Sequence, residues 1–251
     1  MIKCLFTDLG GTFREVVEDP AVYGMARKRI AEICKTGMDP DAFWDFINVR
    51  YDVYREWALK FYCEAPEDVL WSRWLVPELD KEYVKANAKE LCEMYRLGKG
   101  DRVVVDHGIE TMRELVKRGY KVGIITDLVG TVEIDKWLEH DGIKDLFCTV
   151  KQSSVTMFRK PHPGIYYEAL KEAGVDPEES VFVGDNLDRD IVGAKATNFG
   201  GTIAVEYPGK KVYKLNEENL PDCFIHSFDE LLNILPGNGE FCPENAERRS
   251  L

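Results

Sequence analysis

At 251 residues, 45% of them hydrophobic and five of them Trp, the chain has enough apolar material for one α/β domain, or one domain carrying a smaller insert. Its 33 Lys+Arg against 45 Asp+Glu leave a net charge of −12, which argues against nucleic acid or an anionic membrane surface as the main partner. No apolar run reaches the roughly 18 residues of a membrane-spanning helix, and Met1-Ile2-Lys3-Cys4 leads straight into strand-like sequence with no signal peptide. The seven cysteines are dispersed and form no Cys-x-x-Cys pair. They read as reduced thiols of a cytoplasmic protein and indicate neither zinc nor a cysteine nucleophile.

Taken in order, Cys4-Leu5-Phe6 reads as a buried strand that ends on Asp8 and breaks into Gly10-Gly11. Such a turn points backbone N–H groups at one spot just beyond the carboxylate. Residues 13–19 form a short, partly apolar excursion. From Pro20 to about Leu97 the pattern is helical only. Val22, Met25, Ala26, Ile30 and Ile33 recur at helical spacing up to Gly37, and Asp39-Pro40 opens a long helix with Phe43, Ile47, Tyr51, Tyr54, Ala58 and Phe61 on one face. Pro66 opens a shorter piece, Asp80 starts another helix, and Gly98-Lys99-Gly100 closes the run. The expectation is a helical insert of about four helices, its aromatic residues mostly forming its own core.

Regular α/β alternation follows. A helix over 108–117 precedes the strand Lys121–Ile125, which runs into Thr126-Asp127. A helix over 131–140, a strand over 146–150, and a polar loop with Arg159-Lys160-Pro161-His162-Pro163 lead to a helix over 164–172. Val181–Asp185 is a strand ending on an acid, followed by a helix near 190–196, strands at 201–205 and 223–225, and a closing helix over 228–235. Strands separated by helices imply a parallel, doubly wound sheet. The expected organisation is a Rossmann-like core of 1–14 and 102–235, a helical cap of 15–101, and a polar tail of 236–251 expected to be disordered.

In a parallel sheet, strands that enter helix loops do so at the same edge, where ligands bind. Asp8, Thr126 and Asp185 each follow an apolar strand, and Lys160 sits in a loop after a fourth, so the four are expected to converge. Two carboxylates, a hydroxyl and an ammonium in one cleft suit a phosphate held beside Mg²⁺. Asp8 is placed to attack phosphorus and form an aspartyl-phosphate that water clears.

Asp8-x-x-Gly11-Thr12, Thr126 after a strand, Lys160-Pro161-x-Pro163, and Gly184-Asp185-x4-Asp190 with Gly193-Ala194 match, in order, the four motifs of the haloacid dehalogenase superfamily. Over residues 2–235 the chain resembles that superfamily, and its helical insert is similar to the superfamily's first type of cap. The resemblance implies Asp8 as nucleophile and Mg²⁺ ligand, with the Gly10 carbonyl and Asp185 as further ligands. It also implies that Thr126, Lys160 and the amides of Leu9 and Gly10 hold the phosphate, while Asp190 supports the metal waters and Lys160 from behind. The expected activity is that of a Mg²⁺-dependent phosphohydrolase acting on a small phosphorylated metabolite.

One position departs from the pattern. Phosphatase members usually place a general-acid Asp two residues after the nucleophile, where this chain has Gly10. General acid–base help is worth about 10²–10⁴ in rate. A leaving group of low pKa needs little protonation; otherwise Asp127, His162 or a cap residue supplies the proton, or the chain binds phosphate compounds without turnover. Dehalogenase and phosphonatase branches fit less well. Asp185 and Asp190 are both present, whereas Ile47, Asn48, Val49 and Arg50 stand near the position of the phosphonatase lysine. Asp188 reads as a solvated acid at a helix start, His162 as a loop residue, and Arg14 as either a substrate contact or a surface ion pair. Oligomeric state is not legible in the sequence.

Overall fold

The structure is a computed structural model and describes residues 1–209 and 212–251. Strand β1 (Cys4–Thr7) is followed by β2 (Arg14–Val17), then the helices α1 (Pro20–Ile33) and α2 (Pro40–Phe61). A short turn, α3 (Glu67–Val69), widens into a π-type turn over Leu70–Leu75 before α4 (Lys81–Leu97) and β3 (Asp101–Val104). Then come α5 (Gly108–Lys117), β4 (Lys121–Thr126), α6 (Glu133–His140), β5 (Phe147–Gln152), the short α7 (Ser153–Thr156) and α8 (Pro163–Ala173). The chain continues through β6 (Ser180–Gly184), a wide turn over Leu187–Ile191, α9 (Val192–Ala196), β7 (Gly201–Val205), β8 (Cys223–Ile225) and α10 (Leu231–Ile234).

Six strands form one parallel sheet in the order β5-β4-β1-β6-β7-β8. Alternate residues of β1 feed opposite faces. Leu5 joins Val122, Ile124, Val181 and Val183 on one side, and Cys4 and Phe6 join Phe182 and Tyr166 on the other. Helices cover both faces, so every side chain of β1, β6 and β7 is buried. The order reverses between β1 and β6, leaving a crevice at their carboxyl ends.

The helical unit has a core of its own, built on Tyr54, Trp71, Leu91 and Tyr95. Its helices start where carboxylates satisfy free amides: Asp39 accepts from Asp41 N and Ala42 N at 3.0 and 3.2 Å, and Asp80 from Tyr83 N at 2.9 Å. Proline follows Asp19 and Asp39 in the first helical turn, where its missing N–H costs nothing.

Two features differ from the sequence reading. The excursion over 13–19 contains β2, which pairs antiparallel with β3 from Arg14↔Val104 to Val17↔Asp101. Both strands are only four residues long, and β2 is exposed after Arg14, so the sequence carries too little apolar alternation to mark them as strands. The tail over 236–251, for which composition predicts disorder, instead packs on the core. Ile2 N donates to Gly239 O at 2.8 Å, Phe224 N to Glu247 O at 2.8 Å, and Tyr120 OH to Glu240 O at 3.0 Å. Its few apolar side chains, such as Phe241 and Ala246, settle against the main core. No helix among the described residues is long and apolar enough to cross a membrane.

Candidate active site

The turn after β1 is built on one carbonyl. Leu9 O accepts from Thr12 N, Phe13 N and Arg14 N at 3.2, 3.0 and 2.8 Å, while Asp8 N is tied across to Val183 O at 3.0 Å. Gly11 adopts φ +87°, and a Cβ there would lie 2.5 Å from Asp185 Oδ2, so both conformation and space require glycine. Gly10 differs: its φ is outside the left-handed region and nothing lies within 4 Å of an ideal Cβ.

Lys160 is fully buried and links two carboxylates, its Nζ lying 2.7 Å from Asp8 Oδ1 and 2.7 Å from Asp190 Oδ1. Burial opposes its charge, but Asp190 and Asp8 outweigh burial and raise its pKa, so the ammonium stays charged. Asp190 Oδ2 in turn accepts from Asn186 N at 3.0 Å. Asp185 stands beside this pair, with Thr12 Oγ1 donating to its Oδ1 at 3.4 Å. Oxygen atoms of Asp8, Asp185 and Asp190 all lie within 4.8 Å of one another. Burial, then the neighbouring Asp8 and Asp190, push the Asp185 carboxyl up to about 7. Crowded like charges presenting oxygen atoms alone are a donor set that suits a hard divalent cation, so the residues fit Mg²⁺.

Thr126 closes β4 and, with Asp8, Leu9, Gly10 and Lys160, lines a cavity of about 380 Å³ between the sheet edge and the helical unit. The residues expected to converge do so. Asp190 joins the same cluster and contacts Lys160 directly.

The residues whose roles the sequence left open now have partners. Asp127 lines the cavity, yet its Oδ1 accepts from Lys160 N at 3.0 Å, and its Oδ2 faces Arg189 at 3.3 Å and Arg159 at 3.5 Å. It acts as a clamp on the Lys160 loop. His162 caps α8, its Nδ1 accepting from Gly164 N at 3.0 Å, and stacks on Phe158 at 4.4 Å. It is not among the cavity-lining residues. Asp188 Oδ1 accepts from Asn219 Nδ2 at 3.0 Å. Arg14 is buried rather than on the surface: it pairs with Asp141 at 2.5 Å, donates to Arg102 O, and lies 5.0 Å over Trp137.

Sequence reading missed a buried brace beneath the cavity. Arg159 pairs with Glu64, whose carboxylate also receives the hydroxyls of Tyr54 and, at 2.8 Å, Ser153. Burial raises the Glu64 pKa, with Arg159 opposing. The only signal for this brace is the position of Arg159 beside Lys160. Tyr51, assigned to the insert's core, also lines the cavity.

Residues 49–204, more than half the chain, match the family model for haloacid dehalogenase-like hydrolases. The chain belongs to that family. Over 236 residues it is 30% identical to the glyceraldehyde 3-phosphate phosphatase of Pyrococcus furiosus, covering 93% of each chain. A pyrophosphatase, PpaX, of Bacillus velezensis is 30% identical over 188 residues, covering 70% of this chain and 84% of its own. The match to the glyceraldehyde 3-phosphate phosphatase of Methanopyrus kandleri, 35% identical over 130 residues, covers 51% of this chain and 54% of that one. Among solved structures, a haloacid dehalogenase superfamily phosphatase from Thermococcus onnurineus superposes with a TM-score of 0.62 at 25% identity, covering 96% and 100% of the two chains. A 2-haloacid dehalogenase from Pseudomonas syringae superposes at 0.68 with 23% identity over 94% and 99%, which shows shared fold alone. This chain is a phosphatase-like hydrolase of the family, a Rossmann-like sheet with an inserted helical unit.

Proposed function

We propose that this hydrolase removes phosphate from a small phosphorylated metabolite, using Asp8 as nucleophile and Mg²⁺ as cofactor. The observation that carries the proposal is Lys160 Nζ, held 2.7 Å from both Asp8 and Asp190, with Asp185 completing the cluster. Mg²⁺ held by Asp8, Asp185 and the Gly10 carbonyl, with Asp190 behind, would supply positive charge against the phosphoryl oxygens. Lys160 and Thr126 hold and orient those oxygens, aided by the amides of Leu9 and Gly10. Asp8 attacks phosphorus, the ester oxygen leaves with its electron pair, and water then cleaves the aspartyl-phosphate to free Asp8 and inorganic phosphate.

Gly10 puts no carboxylate beside the leaving oxygen, and Asp127 is committed to the Lys160 loop. The reading therefore favours substrates whose leaving group departs with little protonation. The names of the Pyrococcus and Bacillus relatives support a small phosphate compound as substrate. The seven free cysteines fit a cytoplasmic setting. The test is steady-state hydrolysis of an ester panel that includes p-nitrophenyl phosphate and acetyl phosphate, with Mg²⁺ or EDTA. Turnover that needs metal and vanishes in Asp8→Asn supports the reading. Absent turnover in a folded protein leaves a phosphate-binding role, and halide release that persists in EDTA identifies a dehalogenase.

A further inference from the structure

The cavity has a second pole that phosphate transfer does not use. Opposite the sheet edge, its wall carries Arg55 from α2, Arg96 from α4, Lys99 just after α4, and Arg102 from β3. A chain of net charge −12 thus places these four cations on one wall of the void, all from the helical unit and its connecting ribbon, besides Arg159, Lys160 and Arg189 from the core.

The cations on the sheet side are balanced. Lys160 faces Asp8 and Asp190, Arg159 faces Glu64 and Asp127, and Arg189 faces Asp127. The other four are not. Among the described residues, none of Arg55, Arg96, Lys99 and Arg102 has a carboxylate oxygen within 4.0 Å. Lys99 Nζ lies 4.3 Å over Tyr51 and 4.5 Å over Tyr95 instead, and Arg102 Nη1 reaches the Gly100 carbonyl. Arg96 Nε is buried with no hydrogen-bond partner. The acids nearest this set are Glu133, buried beside Arg96 and Arg102 with neither oxygen bonded, Asp52 near Lys99, and Asp101 beside Arg102, and none of them closes an ion pair with it.

Tyr51 and Arg55 lie four residues apart on α2 and so share a helix face, while Arg96 sits in the last turn of α4 and Lys99 in the turn that follows it. Like charges held together in a partly dry cavity repel one another unless an anion joins them. The phosphoryl group at Asp8 already has Lys160, Thr126 and the cation site. We infer that the substrate carries a second anionic group, a carboxylate or a second phosphate, at the end remote from the scissile phosphoryl, and that Arg96, Lys99, Arg55 and Arg102 bind it. This rests on the phosphohydrolase reading above. It sets the expected substrate apart from one ending in an uncharged carbonyl, as glyceraldehyde 3-phosphate does. A cavity of about 380 Å³ suits a short molecule anionic at both ends.

Two matched comparisons test the inference. The first is kcat/KM for 3-phosphoglycerate against glycerol 3-phosphate, which replaces the carboxylate with a neutral hydroxymethyl. The second is calorimetric binding of non-hydrolysable 4-phosphonobutyrate against 4-hydroxybutylphosphonate, with propane-1,3-diylbisphosphonate as the phosphate-type arm. A charge-assisted contact predicts a preference of about tenfold or more for the doubly anionic member. In Arg96→Met, and separately in the more exposed Arg55→Gln, that preference should shrink toward one. The bisphosphonate arm tells a carboxylate pocket from a phosphate pocket. Equal binding of all three phosphonates by the folded wild type overturns the inference, whatever the turnover. A binding preference without hydrolysis of either ester supports the inference and counts against the hydrolase reading.

Discussion

Replacing Gly10 with Asp restores a carboxylate two residues after Asp8, and the structure gives reason to expect the backbone to accept it. Gly10 has no left-handed φ, lines the cavity, and has nothing within 4 Å of an ideal Cβ, so the backbone takes a side chain there without strain and its first carbon without collision. Loss of glycine's freedom in the unfolded chain adds about 0.4–1 kcal/mol of stability, setting against the repulsion of another acid nearby. That repulsion has a catalytic use. Asp8, Asp185 and Asp190 already crowd the site and, with burial, push Asp185 up to about 7, so a further carboxyl there should hold its proton longer. A positioned acid is worth about 10²–10⁴ in rate, or roughly 3–5 kcal/mol off the barrier. The assay compares kcat for glycerol 3-phosphate, whose alkoxide needs a proton, with p-nitrophenyl phosphate, whose phenolate does not. Gly10→Asp should raise the alkyl rate by about 10² and leave the aryl rate nearly unchanged, flattening the dependence on leaving-group pKa. An alkyl rate that stays flat or falls, with Tm unchanged, would show that proton delivery is not what limits this site.

Three further outcomes are expected. Mg²⁺ should raise Tm in a concentration-dependent way, its binding adding about 2.7 kcal/mol of stability at a hundred times its dissociation constant; Asp185→Asn should largely abolish the rise, and an unchanged rise would place the cation elsewhere. Arg159→Met strips the buried Glu64 of its guanidinium partner and should cost about 3–5 kcal/mol, or roughly 10 °C in Tm. Burial has already raised the Glu64 pKa, so the deficit should shrink as pH falls and Glu64 takes up a proton; a pH-independent deficit would implicate packing instead. Lys99 is held down to about 8, first by burial and then by Arg96, Arg55 and Arg102, with Asp52 opposing and the rings of Tyr51 and Tyr95 against it. Its charge is complete below that pH and lost above it, so KM for a doubly anionic substrate should climb above pH about 8 while KM for the neutral-ended analogue does not. Lys99→Met should remove the difference.

The parts of the site carried by strands were legible in the sequence because a parallel sheet delivers its strand ends to one edge. An apolar run followed by Asp8, Thr126 or Asp185 therefore predicts a place in space as well as a residue type. The Lys160 loop was readable for the same reason. Residues whose role depends on packing between units were not. Arg96 lies in the last turn of α4 and Lys99 in the Gly98-Lys99-Gly100 turn that the sequence marks only as a helix end, and nothing in that local pattern shows that both face the cavity. Glu64 lies far from Arg159 in the chain, and a lone acid between Cys63 and Ala65 carries no pattern. The order of the tail also escaped composition, because its hold comes from backbone bonds to Ile2 and Phe224 rather than from apolar bulk.

The ribbon of β2 and β3 has a mechanical consequence. Both passages of the chain between core and helical unit run through it, and four register pairs, from Arg14↔Val104 to Val17↔Asp101, bind them together. Two separate tethers would allow sliding, twisting and swinging. A laced pair resists shear and yields chiefly by flexing across its width, and the Arg159–Glu64 pair and the Thr131–Glu67 hydrogen bond tie the helical unit to the core at further points. Arg102 is itself in a rung of that joint, paired with Val16, and Arg14, two rungs along, anchors the ribbon to Asp141 and Trp137 in the core. Any swing of the helices therefore carries the outer cations toward or away from Asp8 as a set, so grip on the far end of a ligand and access to the nucleophile change in step.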